Sequence, residues 1–288
     1  MTVTTRSALR RARRRARRRA GLAMLVSLFT IGSVAALPGA ADAHTSERHG
    51  SKPTIVLVHG AWADASSWTG VVRQLQADGY RVIAPANPLR SLESDSDYLE
   101  TLLATIDGPI VLVGHSYGAA VITNAAAGDP AVQALVFVNG SVPAEGETVA
   151  ELAGPDSALS VSDPTTIFDF VPAALPPTPE TDVYLKSTTF LRSFATGLSR
   201  DRALALWATQ RPVTFGALNE PSGKPAWESI PSWYLIGTED RVIPSSAQED
   251  MADKAGSTVV RYHAGHLGPI THPTQVTRTI TAAVRATR

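Results

Sequence analysis

The stretch Ile110-Val111-Leu112-Val113-Gly114-His115-Ser116-Tyr117-Gly118-Ala119-Ala120 restricts the possible folds more than any other part of the chain. Four apolar residues, mostly β-branched, predict a strand buried on both faces, and the Ala-rich run from Tyr117 to Ala127 predicts a helix. Between them, Gly114-x-Ser116-x-Gly118 has the pattern of a nucleophile elbow. Strand and helix meet there in a turn so tight that flanking side chains would collide, and the serine stands in a strained backbone conformation at the tip. Such a pentapeptide arises by chance in roughly one chain in ten of this size, so the order of the other elements has to support it.

The N-terminus is of a different kind. Nine arginines between Arg6 and Arg19 precede an apolar run from Leu22 to Leu37, which ends at Pro38-Gly39 before Ala41-Asp42-Ala43. A basic segment, an apolar segment and an A-x-A site predict an export leader over residues 1–43 with cleavage near Ala43. About sixteen apolar residues broken by Gly32 and Ser33 fall short of the roughly 20 that span a bilayer, which argues against a stable membrane anchor. Arg18-Arg19 is compatible with twin-arginine as well as general secretory export. The leader holds nine of the 26 basic residues and one of the 26 acidic ones, so the remaining chain has a net charge of about −8. An acidic surface argues against nucleic-acid partners, and the lack of cysteine excludes both disulfides and a cysteine nucleophile.

After a polar tail at residues 44–52, one domain is expected to run to residue 288. Strands are predicted at Thr54–Val58, Arg81–Ala84, Ile110–Val113, Ala134–Val138, Trp233–Ile236 and Thr258–Tyr262. Helices are predicted at Ser66–Asp78, Tyr98–Ile106, Ser245–Ala255 and Pro273–Ala286. This alternation predicts an α/β fold, a mostly parallel sheet flanked by helices, with ligands bound at the carboxyl ends of the strands. From about residue 142 to 228 the alternation stops. Prolines between Pro172 and Pro179 and helical stretches near 182–194 and 200–210 predict an inserted, mainly helical cap. Its apolar content, including Phe190, Phe194, Leu204 and Trp207, is too high for a disordered linker.

A serine nucleophile needs a base to take its proton and an acid to orient the base. Asp240 follows the strand Trp233–Ile236 after a short turn and is favoured over Glu239 because its shorter side chain suits a fixed orienter. The strand before it ends at Asn139-Gly140-Ser141, which has no carboxylate. Of His263, His266 and His272, the middle one lies in the glycine-bearing loop after the last strand and is the expected base. No cysteine or nearby carboxylate joins the three histidines, so neither a metal nor a cofactor is expected. Two backbone N–H groups should form an oxyanion hole, one from Tyr117 and one from Ala61 in the His59-Gly60-Ala61-Trp62 turn after the first strand. Trp62, Phe190 and Phe194 are candidates to line an apolar substrate pocket, although aromatic residues of a cap also serve as core. His59 and His115 are expected to be packed and hydrogen-bonded rather than proton-transferring.

Val58-His59-Gly60-Ala61-Trp62, the Gly114–Ala120 elbow, Gly237-Thr238-Glu239-Asp240-Arg241-Val242-Ile243-Pro244 and Ala264-Gly265-His266 together resemble the α/β-hydrolase superfamily. The likeness spans residues 53–288 and is to bacterial esterase-like members similar to plant methylesterases and hydroxynitrile lyases. It implies a serine hydrolase that cleaves small to medium carboxylic esters through an acyl-enzyme, with Ser116, His266 and Asp240 as triad. Leu267 stands where the lyases of that branch carry a lysine, and Ser116 where dehalogenases carry aspartate. Lactone, amide or carbon–carbon cleavage and perhydrolysis on the same triad remain open, as does a non-catalytic small-ligand receptor, because fold alone does not fix function. The oligomeric state is open too.

Overall fold

The computed structural model describes residues 52–288. The expected leader at 1–43 and all but the end of the polar tail lie outside the described residues. Nine strands are found among the described residues: β1 (Thr54–Val58), β2 (Val82–Ile83), β3 (Ile110–His115), β4 (Val132–Val138), β5 (Phe168–Val171), β6 (Asp182–Leu185), β7 (Val213–Thr214), β8 (Ser232–Gly237) and β9 (Thr258–Tyr262). Six of them form one parallel sheet in the order β2-β1-β3-β4-β8-β9.

Side-chain alternation along these strands separates two cores. Val56, Leu112, Leu135, Phe137, Tyr234 and Ile236 face one side of the sheet, while Ile55, Leu57, Val111, Val113, Val136 and Leu235 face the other. On the second side lie the helices Thr69–Ala77 and Pro273–Ala286, which contribute Val71, Leu75, Val276, Ile280 and Val284. The first side is covered by Leu92–Leu103, Tyr117–Ala125, Ser245–Lys254 and the segment between β4 and β8. Burial on both faces explains why the central strands read as continuous apolar runs, each fully buried Val, Leu or Ile contributing about 1.5–3 kcal/mol.

The helix expected to begin at Tyr98 begins six residues earlier, at Leu92. Ser91 caps it, its hydroxyl accepting from the Ser94 N–H at 3.0 Å, and Glu93 and Asp95 place negative charge in the first turn. The serines and acids that suggested a preceding cap are therefore largely inside the helix. Between β4 and β8 the chain has short helices, as expected, but also an antiparallel sheet in the order β5-β6-β7. Asp182–Leu185, expected as helix, is its central strand. Val183 and Leu185 are buried and alternate with the partly exposed Asp182 and Tyr184, a period of two. The helix Arg200–Ala208 falls within its expected range.

Strand β3 and the helix Tyr117–Ala125 pack against β1 through Gly118. A Cβ added there would overlap the carbonyl oxygen of Val58, a backbone atom of the sheet that cannot move aside. Gly118→Ala is expected to cost more than about 3 kcal/mol, by overpacking against fixed backbone. At Gly128 an added Cβ meets nothing within 4 Å, although φ is +79°; Gly128→Ala is expected to cost only about 1 kcal/mol from backbone strain. Urea midpoints of the two variants test the difference, and equal losses would contradict the close approach at Gly118.

Candidate active site

Ser116 follows β3 and precedes the helix Tyr117–Ala125, with φ 53° and ψ −127°. A non-glycine residue at positive φ is strained, and such strain persists only where surrounding contacts impose it. Here the Ser116 N–H donates to the Val138 carbonyl at 3.2 Å, and its own carbonyl accepts from Ala119 and Ser141 at 2.9 and 3.1 Å. The side chain is thereby turned toward the loop after β9.

His266 lies in that loop, fully buried, with Nε2 3.0 Å from the Ser116 hydroxyl and Nδ1 2.8 Å from Asp240 Oδ2. A carboxylate only accepts, so Nδ1 carries the proton and Nε2 is left to accept from the serine hydroxyl. Asp240 is buried too. Its Oδ1 accepts from the N–H groups of Val242 and Ile243 at 2.8 and 3.0 Å. Its Oδ2 also accepts from Asn139 Nδ2 at 2.9 Å and Gln248 Nε2 at 3.2 Å. The other carboxylate and imidazoles stand elsewhere: His263 pairs with Glu239 at the surface, 83% and 55% exposed, and His272 contacts Thr271. Arg241, a competing partner for Asp240, instead reaches the Arg192 carbonyl.

The loop after β1 runs beside the serine. A Cβ at Gly60 would fall 2.7 Å from Ser116 Cβ, so only glycine lets this backbone come so near. That approach brings the Ala61 region against Ser116. Tyr117 is the first residue of its helix, so its N–H has no partner one turn earlier. Its phenol is buried and donates to Asp95 Oδ2 at 2.7 Å, and burial pushes its pKa well up.

Trp62, Phe190 and Phe194 are all buried and form one aromatic cluster. Trp62 stacks on Phe168 at 5.8 Å, Phe194 meets Trp62 edge-on at 5.9 Å, and Phe190 lies 4.8 Å from Phe194. Phe194 also lies 5.1 Å from the His266 ring, so the cluster borders that imidazole. A small cavity with free space of about 20 Å³ is lined by Trp62, Phe190, Phe194 and Leu267, the residue after His266, together with the polar Asp64 and Thr209. Trp207 is not in that lining; its indole donates to the Leu185 carbonyl and ties the cap together.

The remaining histidines near the serine are packed, as expected. His59 Nε2 accepts from the Asn87 N–H at 3.0 Å, which puts the proton on Nδ1 facing the Gly60 carbonyl. Burial lowers its pKa to about 4. His115 Nε2 donates to the His266 carbonyl at 2.8 Å, and burial, together with the adjacent His266 ring, lowers its pKa to about 3. Asn139 and Gln248 were missed by sequence reasoning. Gln248 had a signal, since it shares a helix face with buried Met251 and Ala252 at i+3 and i+4. Asn139 had only its place at the end of β4, and its φ of 45° is not visible in sequence.

The model of the alpha/beta hydrolase family matches residues 55–279. An alpha/beta hydrolase of Aspergillus novofumigatus is 26% identical over 261 aligned residues, covering 80% of this chain and 95% of that protein. A carbendazim-hydrolyzing esterase of a Nocardioides species is 32% identical over 110 residues, 34% of this chain and 46% of that protein. Among solved structures, an extracellular alpha/beta-hydrolase from a Paenibacillus species superposes with a TM-score of 0.69 at 22% identity, covering 80% of this chain and 98% of that one. This likeness is one of fold.

Because His115 titrates near 3 when folded but near 6.5 when unfolded, the unfolded chain binds the extra proton between those values. Stability from this residue is therefore full above about pH 6.5 and is lost as pH falls toward 3, on the order of 2 kcal/mol by pH 5. His115→Gln, which keeps a donor but does not titrate, is expected to flatten that part of the curve of urea midpoint against pH. An unchanged slope between pH 7 and 5 would contradict the buried neutral imidazole.

Proposed function

Because the chain belongs to the alpha/beta hydrolase family, we propose that it is an exported serine hydrolase acting on small to medium carboxylic esters. The observation that carries this reading is the unbroken chain of hydrogen bonds from the strained Ser116 through His266 to Asp240. The Nocardioides relative, an esterase by name, supports ester cleavage over other bonds. The basic and apolar leader pattern of residues 1–43 supports export.

In this reading His266 Nε2 takes the Ser116 hydroxyl proton as Oγ attacks the ester carbonyl carbon. The carbonyl electron pair moves onto oxygen, and the N–H groups of Ala61 and Tyr117 stabilise the resulting negative charge. His266 then passes its proton to the departing alkoxide as the carbon–oxygen bond breaks, leaving an acyl ester on Ser116. Water, deprotonated by the same nitrogen, attacks that ester, and the serine leaves with the proton. Asp240 holds the ring in the Nδ1–H tautomer and faces the imidazolium formed in each half of the cycle. Trp62, Phe190 and Phe194 form an aromatic cluster that meets the His266 ring through Phe194, which supports an apolar acyl or alcohol group over a charged one.

Ser116→Ala is expected to abolish hydrolysis of p-nitrophenyl acetate and butyrate and labelling by a fluorophosphonate probe, while the fold is retained. Asp240→Asn is expected to lower kcat by about 10³–10⁴ through loss of the correct tautomer. Ser116→Ala with wild-type turnover rules out this serine as nucleophile. Labelled wild-type protein that turns over no ester, lactone or amide rules out the esterase reading. N-terminal sequencing of protein from culture medium is expected to begin near His44.

A further inference from the structure

The two candidate oxyanion donors come from different loops, Ala61 after β1 and Tyr117 after β3, yet each is tied to the same small cap sheet. On one side, Trp62, next to Ala61 and itself at φ 56°, donates from its indole Nε1 to the Val183 carbonyl of β6 at 2.9 Å. That bond spans 121 residues and is buried. It therefore fixes the turn through a fully desolvated contact rather than a surface one.

The other side is reached in three steps. The Tyr117 phenol donates to Asp95, whose two carboxylate oxygens accept from the Arg90 N–H at 3.1 and 3.2 Å. Arg90 in turn pairs with Asp182 of β6 at 2.7 Å and donates to the Pro212 carbonyl just before β7 at 3.1 Å. Thr214 of β7 donates its N–H to the Leu89 carbonyl at 3.1 Å, and Leu89 stands at φ 63°. Asp95 is fully buried, and no step of the reaction uses it.

From this juxtaposition we infer that the β6–β7 edge of the cap sets the position of both oxyanion donors, with Trp62 and Asp95 as positioning residues. The inference rests on the serine hydrolase reading. Its consequence is that the cap acts on transition-state stabilisation and not only on substrate entry. A main-chain donor displaced by a fraction of an ångström weakens its bond to the oxyanion more than to a neutral carbonyl, so the loss falls on kcat.

Trp62→Phe keeps an aromatic ring but removes the indole donor, and Tyr117→Phe keeps the ring and the backbone N–H but removes the bond to Asp95. Rates are measured per active site, titrated with a fluorophosphonate. Affinity is measured for an aryl trifluoromethyl ketone, to whose carbonyl carbon Ser116 Oγ bonds, its proton passing to His266 while the ketone oxygen becomes negative. Each variant is expected to lower kcat on p-nitrophenyl butyrate about 5- to 20-fold, with KM within about threefold, and to weaken the ketone by the same factor as kcat. A role in folding alone would lower the melting temperature and the titratable fraction while leaving per-site kcat intact. Per-site kcat within about twofold of wild type in either variant overturns the inference, as does a loss of kcat without a matching loss of ketone affinity. Ser116→Ala with full activity would instead overturn the hydrolase reading beneath it.

Discussion

One buried negative charge organises the carboxyl end of the sheet. A carboxylate taken out of water costs several kcal/mol unless donors replace its hydration, and Asp240 is buried with five of them. They come from its own loop after β8, from Asn139 at the end of β4, from Gln248 in the next helix and from His266 in the loop after β9. The strand order β3-β4-β8-β9 puts these loop ends side by side and sets Ser116 at the next strand over. Topology thus brings Asp240, His266 and Ser116 into one hydrogen-bonded chain, and the charge holds the ends together. Asn139 serves twice, because its Oδ1 also accepts from the Tyr262 phenol on β9. A polar network of this kind rigidifies only when every member is satisfied, and here the carboxylate is.

Backbone strain is gathered at the same end. The non-glycine residues with positive φ among the described residues are Trp62, Leu89, Ser116 and Asn139. Each lies in a loop at the carboxyl end of the sheet, and each is held by a bond that the strained conformation makes possible. Ser116 faces His266, Asn139 faces Asp240, Trp62 reaches the cap, and the Leu89 carbonyl accepts from β7. Strain of about 1–3 kcal/mol per residue is stable only inside a framework that over-determines it, and the doubly buried parallel sheet is that framework.

Elements governed by one local rule were legible in the sequence. The strands β1, β3 and β8 are near-continuous apolar runs and the last helix is strongly periodic, so their boundaries fall within a few residues of expectation. The loop addresses of Ser116, Asp240 and His266 follow from the order of those strands. Asn139 was not legible because its role lies in a contact made across 101 residues by a side chain of ordinary polarity, whereas Gln248, 8 residues from Asp240, showed only its place on a buried helix face and not its partner. The cap was legible only as an insertion. Asp182–Leu185 is four residues long, too short for a period of two to stand out from helical spacing, and its pairing with Phe168–Val171 crosses a proline-rich loop.

That difference bears on how firmly each part of the site is held. Ser116, His266 and Asp240 are held by the parallel sheet and a satisfied charge, whereas the phenylalanines next to His266 come from a one-turn π-helix, Phe190–Phe194, following a three-residue helix. Elements this short have little cooperativity of their own and owe their geometry to tertiary packing. Their rings already contact one another, and the free space they border, about 20 Å³, has room for a water molecule rather than a ligand. Any group larger than water seated there has to displace these rings, and that repacking falls on the short elements rather than on the sheet.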